Sequence, residues 1–402
     1  MSTADRPVTS IVILTRGQLD YTRRCVASIA QWTPEPHELV FVDNDSPDGT
    51  LEYLRSLPDA FVVDNDANLG FGGGCNQGIA AARGERILLL NNDVVVTEGW
   101  LGELHDALDS APEVGIVGPR SNRIAGSQQV DAVGYDEESL DGLEAWAQQW
   151  RAEHSERTEP LSRLVGFCML MDRAVVERIG GFDLRYGLGN FEDDDLCLRA
   201  AVAGFGCRVA HGSFIHHFGS RTFVGERIDY AATMSANFQR FRAAWRMGED
   251  DVDAATGGYY ADRVASRTSY DAARHFAPLT GVPDDGAQVM LEERRGRVVA
   301  VCCDRLDADG TRAMLSAALT AYGPGDDVTL AIRVDPRDAT SVPILERLAD
   351  ELGDDALPDV ALVTARDEHD GGVLRIADAY RATTRRGAAT ATLARHLGTS
   401  PD

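Results

Sequence analysis

Residues 8–90 repeat one alternation, and it is the feature that most restricts what this chain can fold into. A short apolar, β-branched run is followed by a segment whose apolar residues fall at helical spacing, and the cycle then begins again. The run VTSIVIL (8–14) precedes YTRRCVASIAQW (21–32), with Cys25, Ile29 and Trp32 on one helical face. HELVFVDND (37–45) precedes SPDGTLEYLRSL (46–57), AFVVDND (60–66) precedes GCNQGIAAARG (74–84), and RILLL (86–90) closes the series. Strands separated by single helices pair in parallel, because each crossover helix returns the chain to the same sheet edge. Ligands of such sheets bind beyond the carboxyl ends of the strands. Three of those ends are acidic: Asp43 and Asp45, Asp64 and Asp66, and Asp93. Helix caps and turns also favour Asp and Asn, and account for about half of them.

VGIVGP (114–119) predicts a fifth strand, and residues 120–160 show weak periodicity. Core character returns at LVGFCMLM (164–171), a short strand follows at CRVA (207–210), and residues 226–247 read as a long helix carrying Phe238, Phe241 and Trp245. The expected organisation is a first domain over 1–247, a linker or helical segment over 248–295, and a small α/β accessory domain of three strands over 296–402.

Charge narrows the partners. The chain carries 64 acidic against 39 basic residues, a net charge of −25, and every basic residue is Arg. Such a field repels nucleic acid and anionic lipid. Neither is an expected partner. The acidic, Lys-free composition also fits a salt-adapted proteome, although codon bias alone would remove Lys. No apolar run approaches the ~20 residues of a membrane span, and the first residues lack the basic and apolar blocks of a secretory leader. With seven cysteines and no C-x-x-C pair, the expected compartment is reducing and cytoplasmic.

Four clusters can carry chemistry. In NLGFGGGCNQG (68–78), glycine density at a strand-to-helix turn would let backbone N–H groups approach an anion. As a dinucleotide fingerprint it is incomplete. Asn91-Asn92-Asp93 ends an apolar strand with oxygen donors suited to Mg²⁺ or Mn²⁺. Glu192, Asp193, Asp194 and Asp195 open a helix, where first-turn acids favour the dipole. Four in a row also repel one another, which raises at least one proton affinity and suits a general base. Finally, His216-His217 stands beside Gly219, Ser220 and Arg221.

Taken in order, SIVILTRGQLDYTRRCVASI, LVFVDNDSPDGT, NLGFGGGCNQGI, ILLLNNDVVV, VGFCMLMDRAVVERIGGFD, FEDDDLCLRA and HHFGS resemble an inverting glycosyltransferase of family 2 with the GT-A fold. The resemblance spans about residues 8–245, and the glycine stretch with LLNND is most similar to the rhamnosyltransferase-like branch using dTDP- or UDP-sugars. It implies that Asp43, with Thr15 and Asp45, contacts the nucleobase, and that Asn68, Gly70, Asn76 and Asn92 surround the nucleotide. It places Asn91 and Asp93 at the D-x-D positions, with Asp93 the metal ligand and His217, or else His216, completing the metal and diphosphate site. Asp193 is the implied catalytic base, supported by Glu192, with Asp194 as fallback. Gly166 and Phe167 line the sugar and acceptor pocket. The implied acceptor is a hydroxyl of a glycan, a lipid-linked glycan or a small molecule.

Two features depart from that pattern. The first strand ends ILTRG where the family shows an aromatic and an Asn or Arg. The C-terminal region has no counterpart in the minimal family; it is faintly similar to half of a GT-B enzyme and is the expected site of acceptor handling or self-association. Two other classes share parts of the pattern. A sugar-nucleotide nucleotidyltransferase calls for a glycine-rich basic loop after the first strand, and ILTRGQLD has one glycine and no Lys. A silent sugar-nucleotide-binding module would have no need of Asp93 and a full acidic run.

Overall fold

The computed structural model describes residues 8–219, 230–253, 258–279, 291, 294–303, 308–334, 340–353, 356–364, 377–382 and 400–401. The chain divides into two compact units, one of residues 1–78 with 82–275 and one of 79–81 with 276–402.

The first unit holds a mixed, mostly parallel sheet. Its strands are β1 (Thr9–Thr15), β2 (His37–Asn44), β3 (Phe61–Asn65), β4 (Arg86–Asn91), β5 (Val94–Val96), β6 (Val114–Ser121), β7 (Thr158–Leu161), β8 (Cys168–Asp172) and β9 (Gly206–His217). They lie in the order β3-β2-β1-β4-β8-β6-β9-β5, with β7 on β9. The first four are parallel, and the register sets Thr15 beside Asp43, Leu14 beside Asn91 and Asp43 beside Asp64. The polar strand ends therefore meet at one edge, as the alternation predicts. The antiparallel β8 brings Cys168 opposite Leu90, so Gly166 and Phe167 lie next to the end of β4. β5 runs antiparallel to β9 with Val94 opposite His217, which sets Asp93 against the histidine pair.

Burial holds these ends in place. Ile11, Ile13, Phe41, Leu88 and Trp100 are all fully buried in one core, and each such side chain contributes ~1.5–3 kcal/mol. Trp100 Nε1 also donates to Thr33 Oγ1 at 3.1 Å.

Helix α3 (Gly70–Ala81) revises the reading of the glycine stretch. The expected loop over 68–73, with a helix from 74, gives way to a helix that already contains Gly72, Gly73 and Gly74. A Cβ at Gly74 would lie 2.2 Å from Leu14 Cδ1, and one at Gly78 would lie 2.2 Å from Val12 Cγ1. These glycines let a helix pack closely on β1. Only Gly70 needs its special backbone: φ is +75°, and a Cβ there would sit 2.4 Å from the Gly187 carbonyl oxygen.

The expected linker is also revised over its first half. Residues 248–275 cluster within the first unit. Val264 is fully buried with Phe241 and Trp245, and Arg267 pairs with Asp251. Isolated apolar residues, each seated against aromatics of α8 (Tyr230–Ala244), leave no period to read. Of the expected helix over 226–247, α8 covers 230–244, residues 245–247 are a turn, and 226–229 lie outside the described residues.

The second unit is a wholly parallel sheet, with two strands beyond the three expected. β10 (Arg297–Cys302), β11 (Val328–Val334), β12 (Asp359–Thr364), β13 (Ala379–Ala382) and β14 (Ser400–Pro401) lie in the order β12-β11-β10-β13-β14. Val299, Val301, Leu330 and Ile332 fill its core.

Candidate active site

Beyond the carboxyl ends of β1, β2 and β4 lies a cavity of about 630 Å³. Thr15, Asn68, Gly70, Asn91, Asn92 and Asp93 line it, together with Gly166, Phe167, Glu192, Asp193, Asp194 and His217. Twelve positions from six separate stretches of sequence thus converge.

At the floor, Asp93 Oδ1 lies 3.2 Å from His217 Nε2. The ring's other nitrogen, Nδ1, is 2.8 Å from the Arg123 carbonyl, and His217 N donates to Asn122 Oδ1 at 2.8 Å. The carbonyl fixes a proton on Nδ1 and leaves Nε2 facing Asp93. Nε2 is buried and makes no aligned hydrogen bond. Burial opposes protonation of His217, but Asp93 and the Arg123 carbonyl outweigh it and raise its pKa above the ordinary value. A carboxylate oxygen and an imidazole lone pair facing each other suit a hard divalent cation completed by ligand oxygens. Among the described residues no three His, Cys, Asp or Glu side chains converge as a complete metal cage. Asn91 lines the cavity, its backbone N donating to the Phe167 carbonyl at 2.8 Å.

His216 does not join them. Successive residues of a strand face opposite ways, and His216 bonds Tyr135 through Nδ1 at 2.7 Å on the far face of β9, outside the cavity wall. Burial and the neighbouring His217 lower its pKa to about 4. It is a packing residue here, which corrects its placement in the metal site.

The acidic run opens α7 (Glu192–Val202) and divides by partner. Asp195 accepts from Arg199 Nε at 2.7 Å and from Trp245 Nε1 at 2.9 Å. Asp194 Oδ1 accepts from Arg163 at 3.0 Å and from the Tyr259 hydroxyl at 2.6 Å. Asp193 is held by backbone donors, Gly166 N to Oδ2 at 3.0 Å and Asp194 N to Oδ1 at 2.9 Å, with the Asp194 carboxyl as its side-chain neighbour. Burial and the Asp194 charge raise its pKa from 3.8 to about 7. Glu192 is pushed well up by burial and then by Asp193, and its Oε2 has no partner. Asn190 and Phe191, just before the helix, both have left-handed φ values of 76° and 71°. Such strain persists only where surroundings enforce it. Here Asn237 Nδ2 donates to the carbonyls of Tyr186 and Gly189, each at 2.7 Å.

Three expected nucleotide contacts lie outside the cavity wall. Asp43 is buried and accepts from Thr15 Oγ1 at 2.9 Å and Ser46 N at 2.9 Å, so it braces the turn after β2. Asp45 is exposed and pairs with Arg16 at 3.1 Å. Asn76 clamps the Phe182 backbone in both directions, donating to its O at 2.9 Å and accepting from its N at 2.7 Å. It ties α3 to the segment before α7. Asn68 and Asn92 do line the wall. Asn68 Oδ1 accepts from Gly70 N at 2.9 Å, and Asn92 Nδ2 donates to Thr22 Oγ1 at 2.9 Å.

Sequence reasoning missed Arg16, Arg123 and Arg163, three cations in the wall of a strongly acidic protein, and Asn190 and Met234. Arg16 stood in the departing ILTRG, and an excess of acid elsewhere is the one signal that could have singled it out.

Residues 10–180 match the family model described as Glycosyl transferase family 2. Among curated proteins, the N-acetylglucosaminyl-diphospho-decaprenol L-rhamnosyltransferase of Mycobacterium tuberculosis is 29% identical over 234 residues, covering 52% of this chain and 76% of that one. The O-antigen biosynthesis protein RfbC of Myxococcus xanthus is 31% identical over 231 residues, covering 52% of this chain and 17% of that one. The crystal structure of GalNAc-T7 with UDP, GalNAc and Mn²⁺ aligns at 18% identity and a TM-score of 0.43, over 53% of this chain and 44% of that one.

Proposed function

The chain belongs to glycosyl transferase family 2, and on that premise we propose that it moves a sugar from a nucleoside-diphosphate donor to an acceptor hydroxyl with inversion, Asp193 acting as the base. The observation that carries this reading is the contrast within the acidic run. Asp194 and Asp195 are held by cationic and side-chain donors, whereas Asp193 faces the cavity with a pKa of about 7, backbone donors on both oxygens and the Asp194 carboxyl beside it. A base serves best when its pKa lies near the working pH. Asp193 takes the hydroxyl proton as the acceptor oxygen bonds to the anomeric carbon from the face opposite the leaving group. The bond from that carbon to the diphosphate oxygen breaks, and the electron pair leaves with the nucleoside diphosphate.

Asp93 and His217 would hold a divalent cation, Mg²⁺ or Mn²⁺, with Asn91 beside them. Bound there, the ion would neutralise charge on the diphosphate. Arg16 and Arg123 add positive charge to the same wall. Gly166 N fixes the base, and Phe167 stacks on His217 at 5.2 Å between ring centres. The name of the rhamnosyltransferase relative supports a deoxyhexose donor and a lipid-linked sugar as acceptor, and the resemblance of the glycine stretch with LLNND favours dTDP or UDP as the carrier.

The test is a thermal-shift panel of UDP-, dTDP- and GDP-sugars with and without Mn²⁺, run on the wild type and Asp193→Asn. A Mn²⁺-dependent shift with one donor, kept in the variant while transfer is lost, is the expected result. No metal-dependent shift with any donor overturns the cation's place, and full transfer by the variant overturns the base.

A further inference from the structure

Tyr259 lies well beyond the stretch that matches the family, residues 10–180, yet its hydroxyl reaches the acidic helix start. It donates to Asp194 Oδ1 at 2.6 Å, and the same oxygen accepts from Arg163 at 3.0 Å. Asp194 is buried. Its backbone N donates to Asp193 Oδ1 at 2.9 Å, so the carboxylate that Tyr259 grips belongs to the residue that also holds the base. Tyr259 itself rests edge-on against Phe241, at 4.8 Å between ring centres, and does not line the cavity. A tyrosine in this position touches no substrate and acts only through its neighbour.

We propose that Tyr259 is a positioning residue for the transfer base: it fixes the Asp194 carboxyl, and with it the Asp194 backbone N–H that holds Asp193, so that the segment after α8 sets how readily the base accepts a proton. This rests on the assignment of Asp193 above. The groups facing the pair are Glu192 and Asp195 on α7 itself, Arg163 from the stretch before β8, Tyr259 from the segment after α8, and the Cys197 thiol one turn along. Arg163 and Tyr259 are the two that donate side-chain hydrogen bonds to Asp194. A donor to the ionised form favours that form. Without the Tyr259 hydroxyl the Asp194 side chain loses one of its two anchors, its backbone N–H holds Asp193 Oδ1 less firmly, and Asp193 keeps its proton to higher pH.

The test needs no acceptor. Unfolding free energy is measured in denaturant from pH 4.5 to 9 for the wild type, Asp193→Asn, Tyr259→Phe and the double variant. The difference between wild type and Asp193→Asn traces the titration of the base, with an inflection expected near pH 7. In the Tyr259→Phe background that inflection moves up by roughly one pH unit, the lower end of what a hydrogen bond to a carboxylate is worth, since the bond acts through Asp194. Arg163→Gln, which removes a charge as well, moves it further in the same direction. An inflection near pH 7 that stays put in both backgrounds overturns the role of Tyr259 and leaves the base assignment standing. A wild-type difference with no inflection at all sinks the base assignment, and the role of Tyr259 with it.

Discussion

Asp193→Asn separates the chemistry of the base from its effect on stability. In the folded chain the carboxyl holds its proton up to about pH 7, against 3.8 for the ordinary group. The raised value means that folding takes up a proton. The resulting stabilisation is fully present below pH 3.8 and is lost as pH rises through about 7. At ~1.4 kcal/mol per pH unit the full gap corresponds to about 4 kcal/mol, and about 3 of these fall between pH 4.5 and 8. The carboxyl is only partly buried and shares its proton with neighbours, so we take about 1–3 kcal/mol. Asparagine does not titrate, and the variant lacks this slope. It also turns an NH₂ towards one of the two backbone N–H groups that Asp193 now satisfies, a cost of about 1–3 kcal/mol that is the same at every pH. The expected result is a variant that gains about 1–3 kcal/mol on the wild type between pH 4.5 and 8, whatever its offset. Its turnover drops by about 10²–10⁴-fold, as for loss of a general base. Urea unfolding at the two pH values and nucleoside-diphosphate release provide the readings. Parallel stability curves, or unchanged turnover, would refute the reasoning.

Asp93→Ala should abolish Mn²⁺-dependent binding of the nucleoside diphosphate in calorimetry while Asn91→Ala only weakens it; equal losses would mean that the wrong residue has been given the metal. Because the pKa of His217 is raised, chiefly by Asp93 against the opposing effect of burial, protons compete with the cation, and Mn²⁺ affinity should fall as pH drops from 8 to 5.5. Affinity independent of pH would remove the imidazole from the ligand set. Asn76→Ala should cost about 2–3 kcal/mol by stranding the Phe182 backbone and leave donor affinity unchanged; a large rise in donor KM with normal stability would restore the residue to the nucleotide.

What the sequence disclosed follows from the range of the forces involved. The parallel core was legible because β1, β2 and β4 are buried on both faces and read as continuous apolar runs between helical segments. The strand-end location of the site came with it, since Thr15 and Asn91 are positioned by register. The direction in which a side chain points was harder to read. His216 and His217 look equivalent in one dimension, and only the pleat of β9, paired to β5, puts one on Asp93 and the other on Tyr135. Asn76 and Asp43 are polar residues at plausible distances from a nucleotide, but the partners that employ them include a backbone 106 positions away and a threonine 28 positions away. The glycine stretch misled for a related reason: glycine permits close approach, and the sequence does not say whether a phosphate or the next strand approaches. Tyr259 left no trace at all, because a lone aromatic in a polar segment has no period. Its meaning arises only when the acidic run is sorted by donor. Of four adjacent carboxylates, Asp195 goes to Arg199 and Trp245 and Asp194 to Arg163 and Tyr259, while Glu192 keeps an oxygen with no partner. Asp193 is then the cavity-facing member with both oxygens aligned by backbone and no cation bound to it. Long-range partners, rather than the motif itself, therefore distinguish the base from its neighbours.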